Sequence, residues 1–391
     1  MSHLLLARAS LALALCASLL GTPFTPAAHA QGESRPTVRI GIVTDRSGAF
    51  AEHSRDFFAG AKTWFDEANA RRLLGSRRIE VVQRATTGTD ANATLTAARA
   101  MLADDRPALL FGLPSDAALT ALCADPQVQK SGVPIVSPLA GVDAPANCNV
   151  QFSRASYAQE FAGAIRQLRN MGVTRFALLT PAEVAPALRD TLRQQLTQTA
   201  GSNVPLVVWP ASVANSGANA SANPARTAAL NQVQASGAQA VLVLADSLEY
   251  GEIYNAITDR QPGTLVVGPS LVNPVTLGGL FPTPRLQGAV LSQAVPDPTR
   301  GSLAVVREFR TLFNKYFAEA PTHAALEGFI AARLVVERLR TGGDVADALS
   351  RGTATKVIDV GGVSFDYTRF PVRGTEFADL AMMRKDGSLA Q

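Results

Sequence analysis

Short apolar, β-branched runs alternate with amphipathic stretches along this chain. Val38 to Val43 has the character of a strand buried on both faces. Phe57, Ala61, Trp64, Phe65 and Ala68 follow at helical spacing, and Ser54 is placed to cap that helix. Further strands are predicted at Ile79 to Gln83, Ala108 to Phe111 and Val133 to Ser137, with a helix over Ala91 to Leu102. The pattern then restarts. Phe152 to Arg154 is short and extended, and Tyr157, Phe161, Ala164, Ile165 and Leu168 form a second helical face. Strands at Phe176 to Leu179, Leu206 to Trp209, Val241 to Ala245 and Leu265 to Val267 complete a second βαβ series. Strands alternating with helices imply parallel sheets covered on both faces. Near the end, Val305, Phe309, Leu312 and Tyr316 share a stripe, a longer helix covers Ala324 to Leu339, and short strands fall at Val357 to Val360 and Leu380 to Met383. Ala211 to Ala229, rich in Ala, Ser and Asn, reads as a surface loop or, over its second half, a helix start.

The first apolar run is different in kind. Arg8 is the only charged side chain before Glu33, and Ala9 to Leu20 matches a signal h-region but is too short to span a bilayer. Gly21, Pro23 and Pro26 end it, and Ala28-His29-Ala30 offers the small residues of a cleavage site. Residues 1–30 are therefore expected to be a cleavable signal, with the mature chain starting at Gln31. Leu15 before Cys16 argues against a lipoprotein signal. No later apolar run is long enough to cross a membrane, so a soluble exported protein is expected. About 360 residues remain, more than one core usually carries, which predicts two lobes.

The net charge of +4 is mild, and the basic residues form no stripe with interleaved aromatics, which argues against nucleic-acid binding. Cys123 and Cys148 survive cleavage; an even count in an oxidising compartment suggests one disulfide, and two buried thiols is the alternative. His53 and His323 stand far apart and outside any metal-ligand spacing, so no metal is expected. Nucleophile-elbow, P-loop and dinucleotide motifs are missing, so no enzyme and no cofactor is expected. What remains is binding at the carboxyl ends of the strands. The loops there, Thr44 to Gly48, Gly112 to Ser115 and Pro138 to Gly141, are small, and their backbone N–H groups and helix N-termini suit a carboxylate. Ordinary turn chemistry uses the same residues.

At this point the residues resemble a family. Ile40-Gly41-Ile42 through Ser47-Gly48-Ala49-Phe50, Gly60-Ala61, Val133 to Pro138, Phe152 to Tyr157, Gln293 to Pro298 and Leu326 to Arg333 occur in the order of a type I periplasmic binding protein. The closest branch is the leucine/isoleucine/valine-binding receptors of ABC importers. The resemblance implies an α/β fold of two doubly wound parallel-sheet lobes joined by three crossover segments. It sends the chain back to the first lobe after Gln293 and into the second near Gly361, giving lobes of 36–153 with 293–360 and of 154–292 with 361–391. It implies a periplasmic monomer that binds a small amino acid or related carboxylate or amide and presents it to an inner-membrane ABC permease. The alternative is a ligand-free or sensory interaction module of the same fold.

Site residues carry over unevenly. Ser115 fits the place of a serine that meets the ligand carboxylate, and the loop after Ser137 supplies backbone at Ala140, with Gly141 where a threonine is usual. His53 falls near an aromatic that packs on the ligand, though a surface role suits it too. The acid that pairs an α-ammonium would fall near Ser270. An unpaired buried ion costs several kcal/mol. Either Asp246 takes over that role or the ligand lacks an ammonium; Asp246 also reads as a simple helix cap.

Overall fold

The run at Val38 becomes β1 (Thr37–Asp45), which pairs along its whole length with β2 (Arg78–Thr86) and, through Ile40 to Ile42, with β3 (Leu109–Phe111). With β4 (Ile135–Val136) and β5 (Val150–Gln151) these strands form one parallel sheet in the order β2-β1-β3-β4-β5. A second sheet holds β6 (Phe176–Pro181), β7 (Leu206–Trp209), β8 (Ala240–Val243), β9 (Leu265–Gly268) and β10 (Val290–Gln293), all parallel. The computed structural model describes residues 36–48, 50–87, 90–210, 223–340, 344–369 and 372–390. The expected signal segment 1–30 lies outside them.

Parallel neighbours require crossover connections, and helices supply them. α1 (Ala51–Ala70), α2 (Ala91–Asp104), α3 (Asp116–Ala124) and α4 (Pro126–Ser131) serve the first sheet. α5 (Tyr157–Asn170), α6 (Pro186–Ala200), α7 (Pro224–Ser236), α8 (Ser247–Arg260) and α9 (Pro274–Leu280) serve the second. The chain then leaves the second sheet. α10 (Ala304–Tyr316) and α11 (His323–Arg340) both pack on α1, and α12 (Val345–Leu349) follows. After a hairpin of β11 (Ile358–Asp359) and β12 (Ser364–Phe365) the chain returns, adding β13 (Asp379–Met383) and β14 (Leu389–Ala390) as antiparallel edge strands in the order β14-β13-β10-β9-β8-β6-β7.

Two of the passages between the sheets are bonded to each other. Phe152 bridges Arg373, its carbonyl accepts from Tyr367 Oη at 2.6 Å, and the Arg373 guanidinium lies 3.8 Å from the Phe152 ring centroid. That ring is fully buried, so the cation is held over an aromatic face away from water, where such contacts are strongest.

Three details differ from the reading of the sequence. Ser54 does not cap α1. The helix starts three residues earlier, and Ser54 Oγ instead accepts from the Asp45 backbone N–H at 3.3 Å, tying the helix to the end of β1. The strand at Val357 to Val360 shrinks to Ile358–Asp359 and pairs within a hairpin rather than with a main sheet. The second half of Ala211 to Ala229 enters α7, where Pro224 sits at the first turn and Asn223 caps it; the first half lies outside the described residues.

Cys123 on α3 and Cys148 before β5 are bonded, with Cα atoms 5.2 Å apart and a sequence separation of 25. Both are buried in the core beneath the first sheet, beside Ala140 and Val150. Closing such a loop stabilises by about 3.5 kcal/mol in the chain-entropy account.

Candidate ligand-binding site

The end of β1 determines where α1 begins. Asp45 Oδ1 accepts from the backbone N–H of Ser47 and Gly48 at 3.1 and 2.9 Å, folding the turn. This places His53 in the first turn of α1, where it is 5% exposed. α11 starts beside it. Thr322 Oγ1 accepts from Ala325 N at 3.1 Å and bonds Asp56 of α1 at 3.0 Å. His323 and Glu327 are then one turn apart on a helix face that meets His53. His53 Nε2 lies 3.9 Å from Glu327 Oε2, beyond hydrogen-bonding distance.

The other side comes from the first passage and the end of β9. Arg154 and Glu160 are wholly buried, with Arg154 Nη2 3.5 Å from Glu160 Oε1 and Nη1 3.5 Å from Glu327 Oε1. Ser270, just beyond β9, is clamped by Glu160. Its N–H and its hydroxyl donate to the two carboxylate oxygens at 2.7 Å each, and its Oγ accepts from Arg154. Burial pushes the Glu327 carboxyl up, but the Arg154 charge and His53 more than reverse this, holding it below the ordinary carboxylate range. Arg154 Nε and Nη1 and His53 Nε2 have no hydrogen-bond partner among the described residues.

A cavity of about 710 Å³ opens directly above this cluster. Its floor includes His53, His323, Ser270 and Gln293, and Phe313 and Phe317 stand on its wall with rings stacked at 4.5 Å. The floor lies beyond the carboxyl ends of β1, β9 and β10, where open parallel sheets hold their ligands. His53 and Ser270 are thus brought together, and His53 is buried rather than on the surface.

The other residues singled out in the sequence lie elsewhere. Ser115 caps α3 by accepting from Ala118 N at 3.2 Å. Asp246 caps α8 by accepting from Glu249 N at 2.9 Å. Burial, with Asp246, Glu183 and Glu252 nearby, pushes Glu249 up to about 7. Ser137 is buried with φ of 52°, and its Oγ has no partner among the described residues. Ala140 is fully buried in the core.

Gly141 has a physical reason of its own. A Cβ there would lie 2.4 Å from the Tyr157 ring, so the threonine usual at this place has no room. Its N–H and that of Val142 donate to Asp116 Oδ1 at 2.9 and 3.3 Å, and Tyr157 Oη donates to Oδ2 at 2.5 Å. The protein's own carboxylate thus takes the backbone donors of the loop after β4. Among the described residues, no group of three or more His, Cys, Asp or Glu is placed to hold a metal ion.

His323 reports on the cavity floor. Burial lowers its pKa from 6.5 to about 4, against the pull of Asp297 and Glu327, so the ring is neutral at pH 7. Because the folded value is depressed, the unfolded chain binds the extra proton first as pH falls, and stability drops between 6.5 and 4. We expect wild type to lose roughly 2 kcal/mol more than His323→Gln between pH 7 and 4.5. Parallel urea curves for the two proteins would remove this assignment.

A family model described as periplasmic binding protein matches residues 37–386. The chain belongs to that family. This is a family of binding proteins and not a class of enzymes. No curated protein sequence matches the chain significantly. Among solved structures, the binding protein is similar to an extracellular ligand-binding receptor from Verminephrobacter eiseniae, at 20% identity over 91% of this chain and 100% of that one, with a TM-score of 0.75. It is similar also to the branched-chain amino acid transporter substrate binding protein LivJ from Streptococcus pneumoniae in complex with isoleucine, at 18% identity, 91% and 98% coverage and a TM-score of 0.70. A third is the ABC transporter solute binding protein from R. palustris in complex with 4-hydroxybenzoate, at 17% identity, 90% and 95% coverage and a TM-score of 0.70. These likenesses establish the type I binding-protein fold expected from the sequence. No helix among the described residues is long and apolar enough to cross a membrane.

The buried cluster is only weakly marked in the sequence. Arg154 sits in a short buried passage, Glu160 lies on the apolar face of α5, and Glu327 interrupts a helix that is buried nearly throughout. A charge on an apolar face is the signal. Nothing local distinguished Asp116 from a helix-capping acid.

Proposed function

We propose that this binding protein is the solute receptor of an ABC importer, exported by the signal in residues 1–30 and acting as a monomer beside an inner-membrane permease. The observation that carries the reading is the cavity at the strand ends, floored by buried side chains with unmet hydrogen-bonding capacity. Its volume of about 710 Å³ suits a small organic solute. The lobes are taken as 36–153 with 293–360 and 154–292 with 361–391, each built around one sheet. His53 and Ser270 contact the solute in this reading. Ser115, Ser137, Ala140, Gly141 and Asp246 shape the surrounding scaffold. The complexes of the neighbours, isoleucine in one and 4-hydroxybenzoate in another, support a small organic ligand.

Native mass spectrometry of the freshly purified mature chain tests this. We expect a bound mass of a few hundred daltons or less that is lost on denaturation. Unliganded protein, together with no rise in melting temperature across a broad screen of amines, amino acids, amides and carboxylates, would rule the receptor role out.

A further inference from the structure

Resting on the receptor reading, we propose that the cavity selects an organic ammonium without a carboxylate, its nitrogen seated on Ser270 and the two imidazoles. Three observations converge on this class.

The first is charge. One layer beneath the floor, the fully buried Arg154 faces two acids, Glu160 and Glu327, which leaves a net negative charge. The lining adds Asp56, Asp297 and Glu319 against Arg55 and Arg300. Arg55 is exposed and bonded to Asp56 at 3.1 Å, and Arg300 is exposed at the mouth. Both levels therefore carry an excess of acid, and a low-dielectric pocket sharpens the preference for a cation.

The second is hydrogen-bonding capacity. Ser270 Oγ has spent its proton on Glu160 and one lone pair on Arg154, which leaves one lone pair. His323 is a neutral ring, with one bare nitrogen that accepts. His53 is 5% exposed, lines the cavity, and its Nε2 is unpartnered among the described residues. An ammonium brings the donors these groups take. Gln293 Nε2, also unpartnered there, adds an amide N–H donor group, which suits a hydroxyl or carbonyl on the same ligand. The stacked rings of Phe313 and Phe317 offer an apolar wall and an aromatic face to a cation.

The third is what the site withholds. A ligand carboxylate would need donors, and the backbone pair at Gly141 and Val142, which the resemblance offered to it, lies outside the cavity lining and is committed to Asp116, itself held by Tyr157. That place is already filled by the protein's own acid, whose pKa burial raises.

The test is calorimetry and thermal shift of the mature chain with matched skeletons: phenethylamine, phenylalanine and 3-phenylpropionate. We expect the amine to bind at least about tenfold tighter than the other two, and to raise the melting temperature by roughly 3 °C at a hundredfold excess over Kd. Glu327→Gln is expected to weaken the amine about tenfold or more. Because that residue also supports Arg154, Glu319→Gln on the exposed rim provides an independent check, with a loss of about twofold. Equal or tighter binding of phenylalanine or 3-phenylpropionate overturns the ammonium assignment and leaves the receptor reading standing. Amine affinity unchanged in Glu319→Gln and in folded Glu327→Gln overturns it too. No response to any of the three, with a non-basic solute found in the native mass spectrum, does the same; no solute at all removes the receptor reading with it.

Discussion

Alanine in place of Gly60 or Gly328 is expected to lower the unfolding free energy by about 3 kcal/mol or more, and the melting temperature by roughly 4 °C. The two glycines are where α1 and α11 cross. A Cβ on Gly60 would lie 1.7 Å from the Ala325 carbonyl oxygen, and one on Gly328 would lie 1.9 Å from that of Phe57. Both obstacles are backbone, so no side chain can swing aside. The helices would have to separate, unpacking Trp64 from Phe329, whose ring centroids are 5.2 Å apart. They also carry His53 and Glu327, so the cavity floor would open with them. Gly279→Ala is the control, since a Cβ there meets nothing within 4 Å. It should be neutral or slightly stabilising, as alanine is in a helix. Urea unfolding decides the matter. A Gly60→Ala protein within 1 kcal/mol of wild type, on the scale expected for overpacking, would mean the helix pair is not so tightly apposed.

Arg154→Ala is expected to cost about 3–5 kcal/mol, because it strands Glu160 and Glu327 in the interior with their counter-charge removed. The wild-type cluster is not itself strong evidence of stability, since a buried ion pair barely offsets its desolvation; breaking one side is what costs. The pH dependence gives a second readout. In wild type, Glu327 has a depressed pKa, so its contribution is present above the ordinary carboxylate value and is lost as pH falls through the folded value. In the variant, desolvation acts without the Arg154 charge, the largest of the opposing effects, and raises the folded pKa above the unfolded one. That contribution is full below the unfolded value and lost as pH rises. The deficit against wild type should therefore shrink on going from pH 7 to about 5. A deficit independent of pH would show that packing around the guanidinium, not its charge, was what the substitution removed.

The elements of this fold were largely readable in advance because their signals are local. A short β-branched run such as Ile40 to Val43 has few stable options other than a buried strand, and the five-position stripe from Phe57 to Ala68 has one helical face. Errors fell where tertiary contacts override local preference. Ser54 has the chemistry of a cap, yet its hydroxyl is taken by Asp45, a partner nine positions away. Val357 to Val360 has strand character, yet only two of its residues pair as strand.

The site was less legible, and for a physical reason. His53 and Ser270 could be named from the family resemblance, but their surroundings are assembled from α1, α5, α11 and the end of β9, separated by up to a few hundred residues. Gly141 stands in the sequence only as a glycine where the family usually has a threonine. Only the structure puts the Tyr157 ring against it and the Asp116 carboxylate on its N–H. Asp246 could be read equally as a ligand partner or a cap, since an N-cap and an ion-binding acid are the same residue type; in the structure its Oδ1 accepts from the Glu249 N–H as a cap does. By itself, the sequence determined the alternation of strands and helices, and with it the parallel α/β architecture, because hydrophobic period and helix punctuation act over a few residues. The tertiary structure decided which charges meet. Arg154, Glu160 and Glu327 acquire their meaning only when folding removes them from water together, and the sign of the charge left beneath the cavity depends on that meeting.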